Sequence, residues 1–189
     1  PEPSAWAYQA AVEQAIIDAV VAAGGSTMAL FTSHASLQAA ASAIRGDLQS
    51  RGLTVLAQGV DGTPHRVLRS FLDNPRSVLL GTASFWEGVD VRGKALEHVI
   101  ITRLPFRVPT EPLQEARLEE LSARGVNAFS NYTIPQAVLR FKQGFGRLIR
   151  STTDRGVISI LDSRILTKRY GKIFLQSLPE VDSFASSAA

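Results

Sequence analysis

The chain has 189 residues, enough for one well-packed domain and short for two. It is 45% hydrophobic and 20% charged, the balance of a globular protein, and its net charge of +3 limits any nucleic-acid contact to a local patch. With no cysteine the chain excludes disulfides, thiolate zinc sites and iron–sulfur ligation within itself, and its histidines, His34, His65 and His98, form no i,i+4 pair suited to a metal.

In chain order, Ser4 is the expected cap of a first helix whose apolar stripe runs through Ala5, Val12, Ile16 and Val20 until Gly24-Gly25 ends it. Gln9, Glu13, Gln14 and Asp18 interrupt that stretch, which makes it amphipathic and no membrane span. The chain starts at Pro1 with no signal-peptide pattern and reads as part of a longer protein. Thr27 to Phe31 is a short buried strand, and Thr32-Ser33 is its exit and the cap of a helix from Ala35 to Gln49. Leu53 to Ala57 is a second strand, Gln58 to Thr63 a loop by its Gly and Asp content, and His65 to Leu72 a helix opened by Pro64 and stopped by Asn74-Pro75. A third strand, Ser77 to Gly81, runs into the loop Thr82 to Asp90; a fourth spans Leu96 to Thr102. Pro105, Pro109 and Pro112 make an irregular connection to a charged helix from Leu113 to Ala123. After a further helix, Gly156 to Leu161 is a fifth strand, Asp162-Ser163 a cap, and Arg164 to Gln176 a last helical piece.

Strands alternating with helices, and apolar without polar alternation, predict an α/β fold with a central parallel sheet covered on both faces. Residues 1–180 are expected to form this single domain and residues 181–189 a disordered tail. In such sheets a ligand lies outside the carboxyl ends of the strands, which selects the loops beginning at Thr32, Gln58, Thr82 and Arg103, and Asp162 after the fifth strand.

The most informative stretch is Thr133 to Arg150. On a helix of ~3.6 residues per turn, Arg140, Gln143, Arg147 and Arg150 share one face, and Val138, Phe141, Phe145 and Leu148 share the opposite one. Three guanidinium groups in a row match an anion's oxygens, with pairing to acidic neighbours as the alternative. Gly144 and Gly146 each cost ~1 kcal/mol in a helix interior and favour close backbone approach. Glu87 and Asp90 stand at a strand exit, where they could hold a ribose hydroxyl or a metal-bound water, or serve as a cap or ion pair. Beside them, Phe85-Trp86 reads as packing, with base stacking as the alternative. Gly88-Val-Asp-Val-Arg-Gly-Lys-Ala95 falls one residue short of a P-loop, because Ala95 cannot ligate magnesium and the lysine runs into a strand rather than a helix. The chain therefore has no P-loop of its own.

Gln143-Gly-Phe-Gly-Arg-Leu-Ile-Arg150 resembles motif VI of superfamily 2 helicases in the form used by DinG and its XPD-like relatives. Gly81-Thr-Ala-Ser-Phe-Trp-Glu-Gly-Val-Asp90 resembles their motif V, Leu30-Phe-Thr-Ser-His34 their motif IV, and Asp162-Ser-Arg164 their Asp-x-Arg after the last strand. The resemblance covers residues 28 to 164. It implies a second RecA-like lobe, the C-terminal helicase domain of an ATP-dependent DNA helicase acting in DNA repair in the bacterial cytoplasm and moving 5′ to 3′. ATP and Mg²⁺ would then be bound mainly by a first lobe that this chain lacks, and any iron–sulfur cluster would belong to that lobe. The chain by itself would not hydrolyse ATP. The resemblance further implies that Arg147 and Arg150 act as arginine fingers, that Gln143 positions them or a phosphate oxygen, and that Glu87, Gly88 and Asp90 link the nucleotide to strand position.

Ser33, Gln58, Thr82 and Ser84, at the ends of other strands, are candidates for phosphate contacts to single-stranded DNA, with plain loop hydrogen bonds or caps as the alternative. His34 departs from the tyrosine usual at its position, so no stacking role is carried to it. The rival functions are a nucleic-acid-binding or regulatory module that kept the fold and lost the motor, and a phosphometabolite-binding α/β domain.

Overall fold

Runs of apolar residues too short for helices and unbroken by polar alternation need cover on both sides, and the fold supplies it. The computed structural model describes residues 2–82, 84–85, 96–107, 112–146, 148, 155–179 and 182. Strands β1 (Thr27–Leu30), β2 (Thr54–Ala57), β3 (Ser77–Gly81), β4 (His98–Ile101) and β5 (Val157–Ile160) form one sheet in the order β2-β3-β1-β4-β5, every pairing parallel. Every residue of the central strands β1, β3 and β4 is buried, whereas the edge strands β2 and β5 are partly open.

Successive residues of β1 feed opposite faces. Ala29 and Phe31 pack with Val12, Ile16 and Val20 of α1 (Tyr8–Ala23) and with Leu37, Ile44 and Leu48 of α2 (His34–Ser50). Met28 and Leu30 pack on the other side with Val67 and Phe71 of α3 (Pro64–Asp73), after which the chain forms α4 (Pro112–Ala123). That second layer is completed by Ile134 and Phe141 of α5 (Ile134–Phe145), Ile165 of α6 (Arg164–Thr167) and Phe174 of α7 (Gly171–Gln176). Each such side chain, fully buried, contributes ~1.5–3 kcal/mol.

The caps follow the expected chemistry in the middle of the chain and depart from it at the start. The Ser33 hydroxyl accepts from the Ser36 amide, the Thr63 hydroxyl accepts from Arg66, and Gly24 ends α1 in the left-handed region. Ser4 caps nothing; α1 begins at Tyr8 after Ala7, with no side-chain cap. An aromatic anchor sets that start instead: the Tyr8 hydroxyl donates to the Thr102 carbonyl at the end of β4. The Arg103 guanidinium lies 5.1 Å over the Tyr8 ring and donates to the Pro3 carbonyl at 2.8 Å. Burial, followed by the charge of Asp162, raises the Tyr8 pKa and keeps the hydroxyl a donor.

Two helices also differ from their expected spans. A π-helical turn, Phe129–Thr133, leads into α5, which stops at Phe145 with Gly146 at its C-cap, so the regular helix does not run to Arg150. The last helical piece is broken into α6 and α7, because Gly171 sits so close to α6 that a Cβ on it would lie 2.0 Å from the Ile165 carbonyl oxygen.

His98 links two strands, its Nε2 2.9 Å from the Ser159 hydroxyl of β5, and burial lowers its pKa. The folded state therefore holds the neutral ring, whereas the unfolded chain takes up a proton as pH falls through about 6.5. Stability contributed by the neutral pair is present at neutral pH and declines on acidification. The urea midpoint should fall between about pH 7.5 and about pH 5.5, and His98→Asn should make that fall shallower. An unchanged slope in His98→Asn would assign the fall to other groups.

Candidate nucleic-acid interface

Because β3 is inserted between β2 and β1, the side chain after β3 meets those after both neighbours. Gln58, after β2, is 7% exposed, and its Oε1 accepts from the Thr82 amide at 2.8 Å and from the Thr82 hydroxyl at 3.1 Å. Its Nε2 donates to the Ser84 hydroxyl at 3.0 Å. On the other side, Thr82 Oγ1 lies 3.2 Å from Nε2 of His34, the first residue of α2. Ser33 stands next to His34 with its hydroxyl engaged as the α2 cap.

The loop that carries Gln58 is braced from below. The Asp61 carboxylate accepts from the Ala57 amide at 2.7 Å and pairs with Arg45 of α2 at 2.8 Å, while Arg45 also donates to the Val55 carbonyl at 3.1 Å. This ties α2 to β2 and fixes where Gln58 emerges.

The exit of β3 is shaped by one close approach. A Cβ on Gly81 would lie 2.6 Å from the Phe85 ring, so only glycine lets Phe85 turn back and bury itself completely in the α3/α5 layer. The exit of β1 leads instead into α2, on the opposite face. The carboxyl ends of the strands are the usual ligand position in a parallel sheet. Thr82 and His34 stand side by side there.

The end of α5 lies at the other edge of the sheet. A Cβ on Gly156, just before β5, would lie 2.7 Å from both the Leu148 side chain and the Glu97 carbonyl just before β4, so Leu148 sits against the amino ends of these strands. Near it, Gln143 Oε1 is buried with no partner among the described residues, and Lys142 is exposed, as is Arg155 just before β5. Strand lengths of four or five residues at ~3.3 Å per residue put roughly 13–17 Å between the two edges.

At the exit of β5, Asp162 is 0% exposed. Its carboxylate accepts from Nε of Arg164 at 2.9 Å, from Nη2 at 2.6 Å, from the Arg164 amide at 3.0 Å and from the Leu104 amide at 2.8 Å. The hydrogen bonds that Arg164 donates to Asp162 raise its pKa, and the guanidinium lies 5.5 Å from the Phe106 ring, itself packed with Phe129, Tyr170 and Phe174. The carboxylate and the Nε and Nη2 of the guanidinium are committed within the protein, which makes this group a brace between the β4 and β5 exits.

Of the residues expected at the site, Gln58, Thr82 and Ser84 are joined in one hydrogen-bonded group, Ser33 adjoins it, and Gln143 stands apart at the amino edge. Glu87, Gly88, Asp90, Arg147 and Arg150 lie outside the described residues, as do the near-P-loop segment, Trp86 and most of the tail. Sequence reasoning missed His34, Arg45 and Asp61. The Asp61-Gly62 pair signalled a turn without naming the partner of Asp61, which comes from α2. Among the described residues no acidic or histidine cluster could hold a metal, and no helix is long and apolar enough to cross a membrane.

A five-stranded parallel sheet of this order with helices on both faces defines a RecA-like α/β domain. Solved structures carry the same fold: one titled "XPD_APO" superposes with a TM-score of 0.66 at 18% identity, over 87% of this chain and 33% of that one. Another, "Mss116p DEAD-box helicase domain 2 bound to an RNA duplex", gives 0.50 at 13% identity over 85% and 51%. The chain belongs to the Helicase C-terminal domain family, whose profile matches residues 16–181. It is 44% identical over 153 residues to the "3'-5' exonuclease DinG" of Bacillus subtilis, covering 80% of this chain and 16% of that protein. It is 42% identical over 178 residues to the "ATP-dependent DNA helicase YoaA" of Escherichia coli, covering 94% of this chain and 27% of that one. The chain thus spans about a quarter or less of the length of these relatives.

Proposed function

We propose that the chain is the second motor lobe of an ATP-dependent DNA helicase of the DinG type, completing an ATP site whose P-loop lies in a first lobe. The observation that carries this reading is the division of the lobe into two polar sites at opposite edges of one sheet. Hydroxyl, amide and imidazole groups meet at the carboxyl edge, and the arginine-bearing stretch starts from the amino edge.

Neutral hydroxyls suit a ligand that is to be held without being read, because backbone phosphates accept from them whatever the base. Ser84, whose hydroxyl accepts from Gln58 and keeps its own proton, is the direct contact in this reading; Gln58 and Thr82, bonded to each other, orient it, and Ser33 stands beside them as the cap of α2. At the amino edge Arg147 and Arg150 reach the triphosphate as fingers, stabilising charge on the phosphoryl group in transfer. The buried Gln143 Oε1 needs an N–H or O–H donor, which an arginine supplies and an ionised phosphate oxygen does not. Gln143 therefore positions the fingers. Glu87, Gly88 and Asp90, following the β3 exit, couple nucleotide state to the strand grip, and Mg²⁺ is held by the first lobe. Closing the lobes on ATP and opening them after hydrolysis then moves the grip along single-stranded DNA, 5′ to 3′.

The full-length protein tests this. Single-stranded DNA should stimulate its ATP hydrolysis, and a duplex with a 5′ single-stranded tail should be unwound in preference to one with a 3′ tail. Strand binding without ATP turnover would make the protein a motor-dead module of the same fold.

A further inference from the structure

The segment ahead of α1 is pinned across the exits of β4 and β5, and one side chain on it is left outside. The Glu2 carboxylate pairs with Lys168, just after α6, at 2.9 Å, and the Pro3 carbonyl accepts from Arg103, two residues after β4, at 2.8 Å. The Ala5 amide donates to the Glu2 carbonyl and the Tyr8 amide to the Ala5 carbonyl, which turns the chain into the helix, where the Tyr8 hydroxyl holds the Thr102 carbonyl. Between these anchors stands Trp6, 97% exposed. Tryptophan carries a large apolar surface, and here its backbone is fixed on both sides while its ring stands in solvent.

The surroundings of this ring are basic. Lys168 opens the run Lys168-Arg-Tyr-Gly-Lys172, whose Arg169 and Lys172 are exposed and have no acidic partner among the described residues. Arg103 is engaged by a backbone carbonyl and the Tyr8 ring rather than by a carboxylate. Of the carboxylates in these segments, Asp162 is bonded to Arg164 and the Leu104 amide, and Glu2 is paired with Lys168. An exposed aromatic beside unneutralised cations suits single-stranded nucleic acid, because the cations attract the backbone and the ring stacks on any base. We propose that Trp6 is a base-stacking platform for single-stranded nucleic acid, with Arg169 and Lys172 contacting the phosphates, and that together they form a second hold on the strand at the β4 and β5 exits. This rests on reading the carboxyl edge as the strand grip.

The two holds lie along one edge. Three strand spacings separate the β3 exit, which carries Ser84, from the β5 exit, roughly 14 Å at ~4.8 Å per spacing, so one strand running along the edge meets both. Pinning suits the platform, since a ring on a free terminus would lose its freedom when a base arrives, whereas these anchors have already fixed the backbone that carries it. The ring acts on the base and the cations on the phosphates, so each can be tested by removing its half of the ligand. A ring that served only to pack against another part of the protein would respond to neither.

The test uses the nucleotide-free full-length protein and a rhodamine-labelled oligothymidylate, titrated by anisotropy at several salt concentrations. Trp6→Ala should weaken binding about tenfold, the loss of one stacked base, and Trp6→Phe should recover most of it. On an oligomer of abasic sugar phosphates, which keeps the charges and has no base to stack, Trp6→Ala should cost nothing. Replacing both Arg169 and Lys172 by Gln should weaken binding to both oligomers and make it less salt-dependent, as loss of phosphate contacts does. Equal affinity for oligothymidylate in wild type and Trp6→Ala overturns the platform while leaving the grip intact. So does a loss that Trp6→Phe fails to recover, or one of the same size on the abasic oligomer, since either assigns Trp6 to packing. Absence of strand binding in the wild type overturns the grip itself.

Discussion

Arg150→Ala in the full-length protein is expected to lower ATP turnover by about 10³-fold or more while leaving affinity for single-stranded DNA within a few-fold. The first effect follows from what an arginine finger does: phosphoryl transfer offers the protein little covalent work, so most of the acceleration is electrostatic, and a fork of N–H donors placed at the transferring group carries a large share. The second follows from the fold, because α5 ends against the amino edge and the hydroxyl group stands at the carboxyl edge, roughly 13–17 Å away at ~3.3 Å per residue. Arg150→Lys separates charge from geometry; it keeps the cation and loses the planar fork, and should recover only part of the rate. Steady-state ATP hydrolysis and DNA-binding titrations measure the two quantities independently. Turnover within a few-fold of wild type in Arg150→Ala would remove the finger role.

Asp162→Ala is expected to destabilise the domain by ~3–5 kcal/mol, the cost of breaking a buried ion pair from one side. Asp162 is wholly buried, and its loss strands the Leu104 amide and the Arg164 amide and guanidinium in a site closed by Phe106. Arg164 is 23% exposed at its side chain, so part of its charge can turn to water, which places the cost toward the lower end of that range. Against a typical total of ~5–15 kcal/mol even the lower figure is a large fraction. Asp162→Asn keeps one acceptor oxygen and gives up the charge, and should lie between the two. Urea unfolding of each variant measures the loss. A shift in Asp162→Ala below about 1 kcal/mol would mean that water replaces the carboxylate and that the brace carries little.

The resemblance to motif VI and the physical reading of the same residues met the structure differently. Ser33 as cap of α2 and the parallel sheet followed from local chemistry, a hydroxyl before an apolar repeat and strands with no polar face, and the structure agrees with both. The helix expected to carry Arg147 and Arg150 was a periodicity argument, and periodicity could not weigh what Gly144 and Gly146 cost; the helix stops at Phe145. Ser4 lost to Tyr8 because a helix start can be set by a distant contact as well as by a cap, here Thr102 across 94 positions of sequence.

By itself the sequence determined which residues stand at strand exits, since apolar runs and the Gly, Ser and Asp that end them are local features. It also determined that Gly88 to Ala95 falls one residue short of a P-loop. Which exits meet was decided only by the tertiary structure. Strand order depends on how distant apolar faces pack, and nothing near Thr82 in sequence says that β3 lies between β2 and β1. That insertion sets Thr82 between Gln58 and His34 and spends its one hydroxyl proton on the first.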